Sequence, residues 1–348
     1  MMRGMTPVLP QVLAPVALEQ GGVVTAAQCS EAGMNRDDRR EAVRVGVLHE
    51  LRRDVFTPGE YWQASDERER HRIEIAGALV ARRWRPGRAG PPLLAAGGTS
   101  AGFLHKLPLP DNPRTDNSVF AEAEELRPWD RRPHHIHLVS ANRDRRTYRA
   151  GVEVRPAALP PEHVAAQGVI PVCNLARTAV DLMRDSTRIE AIFVADAAMH
   201  FGASRAELQA VLDSCRQWPK TLTARQAIAF ADGRAESPAE SLARVVCSDD
   251  GIETEPQVDL YDALGHIGRV DLLLRAFRVV IEVDGAVKYL DPWCGDVHRA
   301  IEQQEAREKR LRDAGWIVVR TTWHELMNNP EGFLSRLRAA MALGLRSA

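Results

Sequence analysis

The chain has 348 residues, 45% of them apolar and 27% charged, with a formal net charge of −1. That length exceeds one ordinary domain, so two or three are expected, and the composition excludes disordered and fibrous classes. Without an overall basic excess, any affinity for nucleic acid must come from local patches. The first elements form a recognisable series. Leu9 to Gln20 reads as a helix ended by Gly21-Gly22, and Thr25 is placed to cap a second helix that runs to Glu31 and stops at Gly33. Asn35 can cap a third helix from Arg36 to Val45, and Val47 to Phe56 then reads as a two-stranded wing. Three short helices and a hairpin predict a winged helix-turn-helix over residues 1–65, with Arg36, Arg39, Arg40 and Arg44 on its third helix and Arg52 and Arg53 at the wing. Such a unit would place the third helix in a DNA major groove and the wing on phosphate.

Several segments in this region resemble the N-terminal domain of AbiEi-type antitoxins: Gln20 to Thr25, Ala32-Gly33-Met34, Val45 to Leu48 and Arg52 to Phe56. Asp54 departs from that pattern, standing where the family usually has glycine. The resemblance implies a promoter-binding repressor of a toxin–antitoxin system, whose partners would be its operator DNA and a cognate toxin.

Residues 66–226 read as an α/β middle domain. Thr99 to Leu107 looks like a helix start, His135 to Val139 and Gly151 to Val154 like strands, and Leu175 to Met183 like a helix. Gly168 to Val172 and Ala176 to Leu182 extend the AbiEi-like resemblance, with Cys173 and Asn174 replacing the more usual Thr and Ser. His134, His135 and His137 offer imidazoles for a metal, but the sequence supplies no clear partner set. Arg82, Arg83, Arg85 and Arg88 form a basic run that reads as a solvated flank.

The chemistry concentrates in residues 227–348. Glu240 falls at the start of a helix, and Val270 to Leu274 and Val279 to Asp284 read as an antiparallel hairpin around the break Arg275 to Arg278. A symmetric loop sets Leu274 opposite Val279 and therefore Asp271 opposite Glu282, with β-carbons roughly 5 Å apart. Period-2 alternation puts Glu282 and Asp284 on one face, away from Val279, Ile281 and Val283. Like charges placed so repel, and a hard divalent cation with oxygen ligands relieves them. Lys288, one of the lysines Lys106, Lys220, Lys288 and Lys309, lies just beyond.

The segment from about Arg234 to Trp323 resembles the PD-(D/E)XK nuclease superfamily, in the branch related to very-short-patch-repair endonucleases. The marks are Ser237-Pro238-Ala239-Glu240-Ser241, Pro256-Gln257, Val270-Asp271, Ile281 to Gly285, Lys288-Tyr289, the helix with Glu305, Arg307 and Arg310, and Gly315 to Arg320. Asp284 stands where that motif usually has lysine, so the resemblance requires Lys288 or Lys309 to supply the positive charge. It implies a restriction-endonuclease-like domain with a mixed sheet flanked by helices. It also implies phosphodiester hydrolysis with catalytic residues Glu240, Asp271, Glu282, Asp284 and Lys288. Mg²⁺, with Mn²⁺ able to substitute, would be held by Asp271, Glu282 and Asp284. Glu305 and Arg307 read as surface charges of their helix.

The expectation is therefore an α/β chain, α+β as a whole, that binds DNA and carries an endonuclease-like domain. Phage defence or DNA repair is the expected setting, and a non-catalytic antitoxin-like repressor is the alternative. Cys29, Cys173, Cys215, Cys247 and Cys294 form no Cys-x-x-Cys pair, and their odd number argues against a disulfide framework. Cys294 with His298 is too little for zinc. No apolar run reaches the roughly 18 residues of a membrane span, and no basic-then-apolar leader opens the sequence, so a cytoplasmic protein without a membrane partner is expected.

Overall fold

The computed structural model describes residues 8–84, 93–109, 133, 135–215, 218–284 and 297–347. Lys288, Arg85, Arg88, His134 and Cys294 lie outside them. The protein is mixed α and β, with three sheets among the described residues, and the chain groups into two compact units. Of the described residues, the first contains 8–84, 93–109, 133, 135–185, 207–215 and 218–219; the second contains 186–206, 220–284 and 297–347.

The first unit begins with α1 (Leu13–Glu19), β1 (Val24–Thr25), α2 (Ala26–Glu31), α3 (Arg36–Arg44), β2 (Leu48–Arg52) and β3 (Val55–Pro58). Both expected caps form as reciprocal capping boxes, Thr25 with Gln28 on α2 and Asn35 with Asp38 on α3. The three strands pair antiparallel in the order β1-β3-β2, and Asp54 turns the wing with φ +62°, in the left-handed region. That backbone explains a glycine preference there, and aspartate is among the few other residues that visit it readily.

Next come α4 (Gly59–Ala64), α5 (Glu67–Val80), β4 (Leu94–Ala96), α6 (Gly98–Leu104), β5 (Ile136–Ser140), β6 (Thr147–Arg149), β7 (Val152–Pro156), β8 (Val164–Gln167), β9 (Ile170–Cys173) and α7 (Leu175–Asp185). The strands make a six-stranded sheet in the order β6-β7-β5-β4-β9-β8. Residues 1–65 do not close a core entirely of their own. Leu13, Cys29, Ala42 and Phe56 pack together, but Val23 and Val55 join Ile73, Leu79, Leu138 and Ile170 in the core of the six-stranded sheet. Asn174 caps the following helix by accepting from the Arg177 N–H, the role that serine would fill.

The chain continues with α8 (Arg188–His200) of the second unit and α9 (Arg205–Ser214), most of which falls in the first. The second unit also holds α10 (Thr221–Phe230), α11 (Pro238–Asp249), β10 (Glu255–Asp262), β11 (Gly265–Leu274), β12 (Val279–Asp284), α12 (Val297–Asp313), β13 (Ile317–Thr322), α13 (Trp323–Asn328) and α14 (Pro330–Ser347). The helix α8, expected within the middle segment, belongs here: Phe193 packs with Leu242, Leu272, Ile281 and Phe333. The four strands lie in sequence order, antiparallel except that β12 and β13 run parallel. Leu272, Leu274, Val279 and Ile281 face one core, and Leu273 and Val280 face another built with Leu311 and Trp316. The register is the one the short loop dictates, with Leu274 opposite Val279 and Leu272 opposite Ile281.

Candidate functional site

The antiparallel ladder between β11 and β12 stops at Leu272–Ile281, and a side chain takes over. The Asp271 carboxylate accepts the Val283 N–H at 2.7 Å, a bond that a backbone carbonyl would otherwise make. Asp271 thus sits where the two strands part, and its charge reaches two other acids. Burial first, and then Asp271, push the Glu282 carboxyl above its ordinary range. Glu240 is raised chiefly by burial, with Asp271 contributing. Through Asp271 these three carboxylates form an electrostatically coupled group, although the strand pairing ends before Asp271 and Glu282.

Glu240 is held closely. Ser237 caps α11 by accepting the Glu240 N–H and donates its hydroxyl back to Oε1 at 2.8 Å. The Glu236 N–H and the Gln257 side-chain amide donate to Oε2 at 2.9 and 2.8 Å. Gln257 has φ +54°, although its strand neighbours Pro256 and Val258 pair regularly with Leu272 and Val270. Placing a non-glycine residue in the left-handed region costs about 1–2 kcal/mol. The sequence marks Pro256-Gln257, but nothing in the letter Gln announces a strained backbone aimed at Glu240. Deeper in the same unit, Ser241 and Arg244 of α11 hold Asp196 of α8; Arg244 Nη2 reaches both of its carboxylate oxygens at 2.8 and 2.7 Å.

The positive charges at the site are arginines. Arg307 on α12 donates to Glu282 Oε1 at 2.9 Å and Oε2 at 3.4 Å, and also to the Arg269 carbonyl. It is therefore a site residue and not a surface charge. Gly268 makes room for it: a β-carbon there would come within 2.6 Å of Arg307 Nε, and φ is +150°. Arg320 on β13 binds Asp284 Oδ1 at 2.8 Å and Glu308 Oε2 at 2.9 Å. Lys309 and Glu305 are exposed, whereas Arg307, Glu308 and Leu311 of the same helix are partly or fully buried. Of the two lysines expected to replace the motif's own, Lys309 is therefore exposed, and Lys288 lies outside the described residues.

Asp271, Glu282 and Asp284 do not bring three ligand atoms within 4.8 Å of one another, as a compact three-ligand cage would require. Asp284 is drawn aside by Arg320. The donor chemistry nevertheless fits Mg²⁺, which needs only one or two carboxylates and completes its shell with water and substrate phosphate. Asp271 and Glu282 would supply such a pair.

The expected DNA-binding arginines divide. Arg36, Arg40, Arg44 and Arg53 are exposed, with Arg40 near Asp37 and Arg44 held by Glu41 in pairs of the kind that contribute little in water. Arg39 instead donates to Ser30 Oγ at 2.8 Å and to the Met34 carbonyl at 2.7 Å, bracing α3 against the end of α2. Arg52 turns inward, its Nε buried and its side chain lining a pocket with Glu74 and His135.

No protein-family model matches the chain. It is 29% identical over 172 residues to the uncharacterized protein MT2308 of Mycobacterium tuberculosis (strain CDC 1551 / Oshkosh), covering 47% of this chain and 61% of the relative. The uncharacterized protein Rv2248 of Mycobacterium tuberculosis (strain ATCC 25618 / H37Rv) aligns to the same extent, so the chain spans 61% of the length of each relative. Among the described residues no helix is long and apolar enough to cross a membrane.

Proposed function

We propose that this protein binds DNA through its N-terminal winged helix and carries, in its second unit, a Mg²⁺-dependent endonuclease-like site that hydrolyses phosphodiester bonds in phage defence or DNA repair. The observation that carries the reading is the coupled group of Glu240, Asp271 and Glu282, gathered where β11 and β12 part and braced by the strained Gln257. Asp271 and Glu282 would hold the Mg²⁺, for which Mn²⁺ could substitute. When bound, the ion would lower the pKa of a coordinated water and offset charge on the scissile phosphate. Gln257, with Ser237 and the Glu236 N–H, orients Glu240 toward that group. Arg307, bonded to Glu282, offers a planar fork that would suit phosphate oxygens. Arg320 holds Asp284 in an ion pair.

A second reading has its own support. Glu282 and Asp284 are both ion-paired to arginines, an arrangement in which the site needs no cation to balance it. In that case the chain is an AbiEi-like repressor that binds operator DNA and a cognate toxin without cleaving. Cleavage of supercoiled plasmid and labelled single strands, with Mg²⁺, Mn²⁺ or EDTA, separates the two. Metal-dependent nicking that an Asp271→Ala/Glu282→Ala variant lacks supports the nuclease. No cleavage on any substrate, with DNA binding intact in both proteins, overturns it and leaves the repressor.

A further inference from the structure

The histidines of β5 find in the fold the partner that the sequence withholds. β5 and β7 run parallel with His137 beside Glu153, and His135 stands two residues before His137. One ligand atom from each of His135, His137 and Glu153 lies within 4.8 Å of the others, a grouping that no other set of His, Cys, Asp and Glu makes among the described residues. His135 Nε2 and His137 Nε2 are 3.6 and 3.3 Å from the same oxygen, Glu153 Oε2. Ligands on a tetrahedral Zn²⁺ at ~2.0–2.1 Å stand ~3.3 Å apart, so these are the edges of such a site.

Outer contacts hold Glu153 and His137 in place. Arg146 and Arg155 both bind Glu153 through Oε1, Arg155 at 2.6 Å, which turns Oε2 toward the imidazoles. Thr99 fixes the ring of His137 at Nδ1, which accepts its N–H at 3.2 Å and lies 2.9 Å from its hydroxyl, so a cation at Nε2 would have to displace the Nε2 proton. His137 is only 5% exposed, and its Nε2 makes no well-aligned hydrogen bond among the described residues, the nearest group being Glu153 Oε2 at 3.3 Å. His135 also lines a pocket of about 410 Å³ with Arg52, Glu74 and Gly151, on the side from which a further ligand could reach it.

We propose that His135, His137 and Glu153 bind a divalent transition-metal ion of the Zn²⁺ class, with an open coordination position toward the pocket. Two imidazoles and one carboxylate favour such an ion over Mg²⁺. The site is separate from the acid group of the second unit and does not depend on the nuclease reading.

The test is Co²⁺ titration of the full chain carrying Asp271→Asn/Glu282→Gln, so that those carboxylates are removed as ligands. One saturable equivalent is expected, with visible d–d absorption of a low-symmetry nitrogen–oxygen site, displaced by Zn²⁺ and not by excess Mg²⁺. His135→Ala, a change at a partly buried position, should abolish the absorption while circular dichroism is unchanged. Arg146→Ala, which touches only Oε1, should retain it. Absence of a saturable equivalent, or Co²⁺ binding unaltered in His135→Ala, overturns the proposal.

Discussion

Gln257 offers a test in which two small substitutions change stability in the order opposite to the ordinary one. Its φ of +54° costs about 1–2 kcal/mol, and its amide donates to the Glu240 carboxylate, a bond to a charged acceptor that contributes about 1.5–3 kcal/mol. Gln257→Ala removes the bond and keeps the strain, so it should destabilise the second unit by about 1.5–3 kcal/mol. Gln257→Gly removes the same bond but relieves the strain, against which stands the greater chain entropy of glycine, about 0.5–1 kcal/mol. Glycine should therefore be more stable than alanine by up to about 1 kcal/mol, where an ordinary strand position shows the reverse. Urea dependence of hydrogen exchange in peptides covering α11 and β10 reads this unit alone. An alanine variant as stable as the glycine variant, or more so, would refute the strained backbone and with it the reason for regarding Gln257 as a positioning residue.

Three further outcomes are expected. Burial holds the His105 imidazole below its ordinary pKa, with Nε2 2.8 Å from the Cys173 carbonyl. The unfolded chain therefore takes up the proton first, and wild type should lose stability relative to His105→Gln as pH falls through about 6.5; a difference independent of pH between about 5 and 8 would contradict this. Asp196→Ala should cost about 3–5 kcal/mol because it strands the buried Arg244, while Asp196→Leu/Arg244→Met should recover most of that loss. Denaturation midpoints check the pair, and a single variant as mild as the double one refutes the buried-charge account. If α3 docks on DNA, Arg40→Ala should reduce the slope of log affinity against log salt by about one, because one phosphate contact is lost. Arg39→Ala should leave the slope unchanged and lower the melting temperature instead, since Arg39 braces α2 and α3. Equal slope changes in the two would refute that division.

Local rules were legible in the letters. Thr25, Asn35 and Ser237 cap helices because each hydroxyl or amide oxygen meets N–H groups a few residues on. The β11–β12 register follows from a short loop and a period of two, which together set Leu274 against Val279 and Leu272 against Ile281. These are interactions over a few residues, or across a single tight turn, and the chain between the partners leaves little choice.

What the tertiary structure decided are the pairings across longer separations. Arg307 reaches Glu282 from a helix 25 residues on, and Arg320 takes Asp284 through the parallel β12–β13 pairing, 36 residues apart. Nothing in the residue types distinguishes these arginines from Arg310 or Arg312 on the same stretch. Arg39 and Arg52 look like their neighbours Arg40 and Arg53, yet packing turns the first pair inward. His137 meets Glu153 only because two strands joined by a third lie side by side in parallel. Backbone preference and periodicity act locally, while the direction in which a long charged side chain turns is set by whichever partner the packed elements bring to it.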